Sequence, residues 1–246
     1  GKGYDVINIS DFMVHILAKQ DYLQTIDHEA LSNIKRLNKY FLNQAYDPGN
    51  RYSVPHKWFM YGIVYDKTFF KCRPDQINLG FIFESPQNIF ARGFVKNPYK
   101  ICMLDSPQDA FFFAAKYLFG HASDLTSDQC KQIEKLLIDQ KQWVECYTLY
   151  SIEYFMITKI VPIALSARTF ARKMWHEKSK FEFVIPKEGG ILVVENLAIP
   201  KHSQKKQLAS QFINFMISDR IAMLNGSFYG WASANKKANQ FVDQRY

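Results

Sequence analysis

One carboxylate, Glu195, stands near the end of an apolar run. The run is Ile191-Leu192-Val193-Val194-Glu195-Asn196-Leu197-Ala198-Ile199-Pro200, and Ile185-Pro186-Lys187-Glu188-Gly189-Gly190 precedes it. A charge in such surroundings is costly unless a cation or a hydrogen-bond donor meets it. Glu195 is therefore a candidate ligand contact. Two further polar groups follow predicted strands, Ser10-Asp11-Phe12 and Asp105-Ser106-Pro107-Gln108-Asp109. Ligands of open α/β sheets gather beyond the carboxyl ends of strands. Gly226-Ser227-Phe228-Tyr229-Gly230-Trp231 sets aromatic faces beside turn glycines, and Trp58 follows Pro55. Carboxylates hold ammonium groups, and aromatic faces attract cations and cover apolar chains. The same residues also fit plainer roles. Ser10 and Asp11 suit a helix N-cap; Ser106, Pro107 and Asp109 suit a capping box; Glu195 suits a salt bridge; Trp58 and Trp231 suit packing. Bond-making chemistry has less to rest on: the sequence carries no GxGxxG, Walker loop, HExxH or GxSxG motif, and its six histidines are scattered. No enzyme activity, cofactor or metal is expected.

The elements that must position these residues alternate. Strands are predicted at Tyr4 to Ile9, Met60 to Tyr65, Ile101 to Leu104, Val144 to Thr148, Ile160 to Ala164, Phe181 to Ile185 and Ile191 to Val194. Helical spacing covers Asp11 to Ala18, Glu29 to Asn43, Pro86 to Ala91, Thr126 to Gln140, Tyr150 to Ile157 and Ser166 to Trp175. It also joins Ala110, Phe113, Ala114, Tyr117 and Leu118, with Gly120 closing that helix, and marks a stripe of Leu208, Phe212, Phe215 and Met216. Asp47-Pro48-Gly49-Asn50 reads as a turn. Strands alternating with helices argue an α/β fold with mostly parallel sheets. The 246 residues suffice for one large domain or two modest ones, and 48% hydrophobic content can build the core. No apolar run is long enough for a membrane span. A net charge of +8 can signal nucleic acid or a membrane surface, but the lysines and arginines are dispersed, so neither partner is expected. Cys72, Cys102, Cys130 and Cys146 form no CxxC pair; buried free thiols are expected, with a Cys72 disulfide left open.

Two blocks resemble a known family. "PKEGG", the apolar strand, its acidic residue, "LAIP" and the helix near Leu208 to Ile217 form one. Tyr4-Asp5-Val6-Ile7, Leu23-Gln24-Thr25-Ile26-Asp27, and Asp47 through Tyr52-Ser53-Val54-Pro55-His56-Lys57-Trp58 form the other. Both are similar to the periplasmic spermidine/putrescine-binding proteins of polyamine ABC transporters. The resemblance fades between about Lys67 and Tyr99. It implies a two-lobed fold of the type II periplasmic-binding class, with crossing hinge strands and ligand between the lobes. Lobe one would be 1–63 plus 191–231, and lobe two 64–190 plus 232–246. The opening strand and helix of lobe one are missing by this comparison, so the chain is expected to be a piece of a longer protein that has lost its targeting signal.

The resemblance also implies site residues. Ser10 and Phe12 fall at a ligand-contacting Ser and a Tyr, with the hydroxyl lost. Family acids fall at Ser106 and Asp109, so one is absent unless Asp105 substitutes. Glu195 falls at an amine-binding Asp, Trp231 at a pocket aromatic, and Trp58 at the Trp after the "YSxP" segment. Family Trp positions match Val193 and Ala164 or Leu165, which removes two aromatic walls. The ligand-binding set expected is Ser10, Phe12, Trp58, Asp105, Asp109, Glu195 and Trp231. The expected function is a monomeric periplasmic protein that captures a polyamine and delivers it to an ABC transporter permease. The alternatives are a diverged binding protein for another small solute, or a protein-interaction role on the same fold.

Overall fold

The computed structural model describes residues 3–171, 174 and 180–240. In chain order its elements are β1 (Ile7–Ser10), α1 (Asp11–Lys19), β2 (Ser53–Asp66), α2 (Gly80–Phe83), α3 (Pro86–Ala91), β3 (Ile101–Met103), α4 (Pro107–Phe119) and α5 (Ser127–Gln140). Then come β4 (Val144–Tyr147), α6 (Ile152–Ile157), β5 (Ile163–Ala167), α7 (Arg168–Ala171), β6 (Phe181–Val184), β7 (Ile191–Ala198), α8 (Lys206–Met216), α9 (Asp219–Tyr229) and β8 (Ala232–Ser233). Two compact units result: the described residues through 59 together with those from 192 on, and the described residues of 60–191.

In the first unit β7 lies between β1 and β2, and β8 also pairs with β2. The β1–β7 ladder is antiparallel, with Ser10 opposite Glu195. Beneath it Leu31, Leu37, Phe41, Val54, Val194, Leu197, Ile199, Ile213 and Ile217 form the core. Residues 232–240 belong to this unit, not to the second lobe expected for them, because Ala232 and Ser233 pair with Trp58 and Lys57. The turn at Asp47 is present and carries a buried charge. Asp47 is 1% exposed, and its carboxylate accepts from the Tyr52 N–H at 3.1 Å and the Ser53 hydroxyl at 2.8 Å. Those bonds replace the water the carboxylate loses. The helix expected over Glu29 to Asn43 is absent. Two short 3-10 turns, Ile34–Arg36 and Lys39–Phe41, stand there. Asparagines compete with the helix ladder: Asn38 caps the second turn by accepting from the Tyr40 N–H, and Asn43 takes φ +55°.

On α8 the apolar stripe of Leu208, Phe212 and Phe215 faces outward, at 60%, 46% and 54% exposure. Ala209, Ile213 and Ile217 face the core instead, with Met216 beside them. Both stripes have helical spacing, so periodicity alone could not choose between them.

In the second unit β3 runs parallel to β4 and β5, and β2 is antiparallel to β5 and β6. The sheets are thus mixed rather than mostly parallel. Strand-helix alternation enforces parallel pairing only where a helical crossover joins neighbours, as α4 and α5 do between β3 and β4. Val64, Cys102, Ile152, Met156, Val161, Ala164, Met174 and Phe181 form a core cluster. The Phe-rich stretch after Lys67, where the resemblance fades, packs edge to face: Phe70 meets Tyr65, Phe81 and Tyr99. Of the stretch expected as a helix over Ser166 to Trp175, Ser166 and Ala167 belong to β5 and Arg168–Ala171 form α7; Arg172, Lys173 and Trp175 lie outside the described residues.

The "EGG" turn has a steric basis. Gly189 takes φ +106°. A Cβ on Gly190 would sit 2.5 Å from the Tyr61 carbonyl oxygen on β2. Glu188 accepts from the Leu79 N–H at 3.3 Å. Gly190→Ala must therefore displace backbone and is expected to destabilise the protein by about 2 kcal/mol. The urea unfolding midpoint reads this, and an unchanged midpoint would show that β2 gives way freely.

Candidate functional site

Glu195 is the fifth residue of β7, not its last, since the strand continues to Ala198. The extension follows from the pairing of its second half, Glu195 through Ala198, with β1. Ser10, directly opposite, donates its hydroxyl to Glu195 Oε1 at 2.7 Å. Asn8 sits two residues earlier on the same strand face and donates its amide N–H to Glu195 Oε2. On β2, His56 Nε2 lies 2.6 Å from Asn8 Oδ1. Because Asn8 Oδ1 can only accept, the network assigns the Nε2–H tautomer to His56. The chain of bonds runs from His56 through Asn8 to the carboxylate. Among the described residues no ion pair reaches Glu195. A carboxylate has about four acceptor positions, and two neutral donors leave room for a cation.

Ser10 does not cap α1 with its side chain; its hydroxyl serves Glu195 instead. Asp11 takes over part of the local work. It accepts from the Phe12 N–H at 2.9 Å and from the Val194 N–H at 3.4 Å. Burial pushes the Asp11 carboxyl above its ordinary range, and those two bonds oppose the shift. Phe12 is 56% exposed at the start of α1, so its ring is free to meet a ligand.

Trp231 stacks on Tyr229 with centroids 4.4 Å apart and planes 12° apart. Its open face is covered by Lys57, whose Nζ stands 3.7 Å from the ring centroid. Burial lowers the Lys57 pKa and the Glu195 charge raises it. Trp58 is directed elsewhere. Its indole N–H donates to the Ser233 carbonyl at 3.2 Å, and its ring packs on Phe41 in the core.

In the second unit Ser106 is a true N-cap, accepting from the Asp109 N–H at 3.3 Å. Asp109 is half-buried, and desolvation raises its pKa against a bond to Ser106. Asp105 is exposed. It lines a groove of about 630 Å³ with Leu104, Ser106, Phe111, Ile138 and Tyr147; Asp109 does not. The unit's larger groove, of about 820 Å³, is walled by Phe69, Tyr99, Trp143 and three lysines and holds none of the expected residues. Of the seven, the first unit brings together Ser10 and Glu195, with Trp231 beside Lys57.

Residues 1–244 match the family described as bacterial extracellular solute-binding proteins. The chain belongs to that family. Members are solute-binding transport proteins rather than enzymes. The putrescine/cadaverine-binding protein of Pseudomonas aeruginosa is 26% identical over 250 residues, covering 98% of this chain and 68% of that protein. The spermidine/putrescine-binding periplasmic protein 1 of Haemophilus influenzae is 26% identical over 238 residues, covering 97% and 63%. The chain thus spans about two thirds of the length of these relatives. The solved spermidine/putrescine substrate-binding protein of Streptococcus pneumoniae superposes with a TM-score of 0.80 at 24% identity, over 100% of this chain and 72% of that one. It has the same fold. Among the described residues no helix is long and apolar enough to cross a membrane, and no cluster of three metal-binding side chains occurs.

Sequence reasoning missed Asn8, His56 and Lys57. Asn8 had a signal, its two-residue spacing from Ser10. His56 and Lys57 had none, because only the sheet order sets β2 beside β7. His56 supplies a test of the network. Burial, aided by the Lys57 charge, lowers its pKa from 6.5 to about 3. The unfolded chain therefore binds the extra proton between those values, and stability falls as pH drops through that window. The slope from this group is at most about 1.4 kcal/mol per pH unit. Asp11, with a raised pKa, acts in the opposite sense, so the difference between proteins is informative. His56→Gln keeps an N–H for Asn8 and is expected to flatten the melting-temperature profile between pH 6.5 and 4. Identical profiles would remove His56 from the account.

Proposed function

We propose that this chain is the binding part of a periplasmic polyamine-binding protein, monomeric, that passes its ligand to an ABC transporter permease. The observation that carries the reading is Glu195. Its carboxylate is held by two neutral donors, Ser10 and Asn8, and makes no ion pair among the described residues, although Lys57 feels its charge. Such a group is oriented yet retains its charge for an incoming ammonium, and charge-assisted bonds are the stronger kind. Phe12, two residues after Ser10, offers an exposed ring for methylene groups. Family membership and the names of the relatives, which bind putrescine, cadaverine or spermidine, support the same reading. Asp105 and Asp109 are kept as proposed ligand contacts of the second unit, taken by itself; Asp105 is the more exposed of the two. In this reading Trp58 is a packing residue.

Titration calorimetry of the protein with putrescine and spermidine tests this. Binding is expected, and Glu195→Gln is expected to weaken it by ten- to a hundred-fold, the value of one charged hydrogen bond. Absence of heat with both ligands, in protein whose melting is cooperative, would sink the polyamine assignment.

One observation favours a second reading, a solute other than a polyamine. The Trp231 face that would receive a ligand's cation already carries the Lys57 ammonium. A solute with fewer ammonium groups, or with an anionic group for Lys57, would suit that arrangement. Lys57→Met separates the two. Polyamine binding is expected to tighten several-fold when the competing charge is removed. Loss of binding to an ω-amino acid, tested in parallel, would favour the second reading.

A further inference from the structure

Cys102 and Cys146 are Cα partners on the adjacent parallel strands β3 and β4. Their sulfurs are 3.0 Å apart, inside ordinary van der Waals contact. Cys102 is fully buried in the core cluster with Val64, Ile152, Met156 and Ala164, and Cys146 packs against that cluster from a half-buried position. Neighbouring strands lie about 4.8 Å apart, within the roughly 4.4–6.8 Å that a disulfide spans between Cα atoms. Small side-chain rotations would close the remaining gap to bonding distance. Cys72 and Cys130 have no such neighbour among the described residues. The pairing that sequence left open at Cys72 therefore belongs elsewhere.

We propose that Cys102 and Cys146 form a disulfide that staples β3 to β4 once the protein meets an external disulfide, the oxidant of an extracytoplasmic compartment. The compartment part rests on the function proposed above; the geometric part does not. The reaction is a thiol–disulfide exchange. The Cys146 thiol, the more accessible, loses its proton and attacks one sulfur of the external disulfide, releasing one thiol. Cys102 then loses its proton and attacks the Cys146 sulfur, releasing the second. Two protein thiols are oxidised and one external disulfide is reduced to two thiols. Burial raises the pKa of both thiols, that of Cys102 further, so closure is slow near neutral pH and faster in mild alkali. The bond encloses the Asp105–Asp109 turn with α4 and α5, and so restrains the segment that carries the second-unit acids.

The purified chain, incubated with oxidised glutathione at pH 8, denatured, alkylated and digested, gives the test by mass spectrometry. A cross-linked peptide pair containing Cys102 and Cys146 is expected, with Cys72 and Cys130 alkylated. The oxidised protein should melt about 5–10 °C higher than the reduced one. Cys146→Ala should abolish both effects, while Cys130→Ala should leave both intact. Four alkylated cysteines, or glutathione persisting on Cys146 without closure, would overturn the proposal. Protein trapped with acid from its native host should carry the same cross-link. Closure in vitro with free thiols in the host would support the bond and overturn instead the compartment assumed for the protein.

Discussion

A carboxylate inside a sheet needs partners, and the way Glu195 finds them organises the first unit. A cation would neutralise it and leave nothing for a ligand. With no partner at all, the half-buried carboxylate would lose part of its hydration with nothing to replace it. Ser10 and Asn8 provide the intermediate solution, two neutral donors from one face of β1. The solution depends on register. A shift of β1 by one residue would turn Ser10 and Asn8 to the opposite face and leave the charge alone. The pairing of Ser10 with Glu195 therefore ties strand alignment to site chemistry.

The same logic of satisfied burial recurs in Asp47. Its buried carboxylate accepts from Tyr52 and Ser53, and so fixes where β2 begins. His56 and Lys57 then take their places at fixed distances along β2. His56 orients Asn8. Lys57 lies over Trp231. In the second unit Ser106 orders the start of α4, leaving Asp105 to face solvent.

Divergence within the family is visible in how the aromatic surfaces are used. Trp231 and Tyr229 form a stacked pair, yet an internal ammonium covers one face. Two positions where the resemblance implies Trp hold Val193 and, on β5, a buried Ala164 or Leu165. Small aliphatic residues fill a core without presenting a ring. By that resemblance the proposed anionic anchor, Glu195, is kept while two aromatic positions are lost, so ligand class varies here more readily than fold.

Much of the fold was legible in the residues. Helix α3 stands at its predicted limits, and α4 ends at Gly120 in a left-handed cap. The special turns at Asp47 and Gly189 announced themselves through Pro, Gly and Asn. These features are local: propensity, capping and turn sterics act within a few residues. The sequence also singled out Glu195 and Ser10, because a polar group at an apolar strand is conspicuous in one dimension. Tertiary structure alone decided which of two apolar stripes α8 buries and that Trp58 serves the core. It alone decided that residues 232–240 join the first unit, that Ser10 meets Glu195 rather than capping its helix, and that Lys57 lies over Trp231. Each of these depends on which strands become neighbours, a contact between residues far apart in the chain. Spacing along a sequence carries no record of that choice.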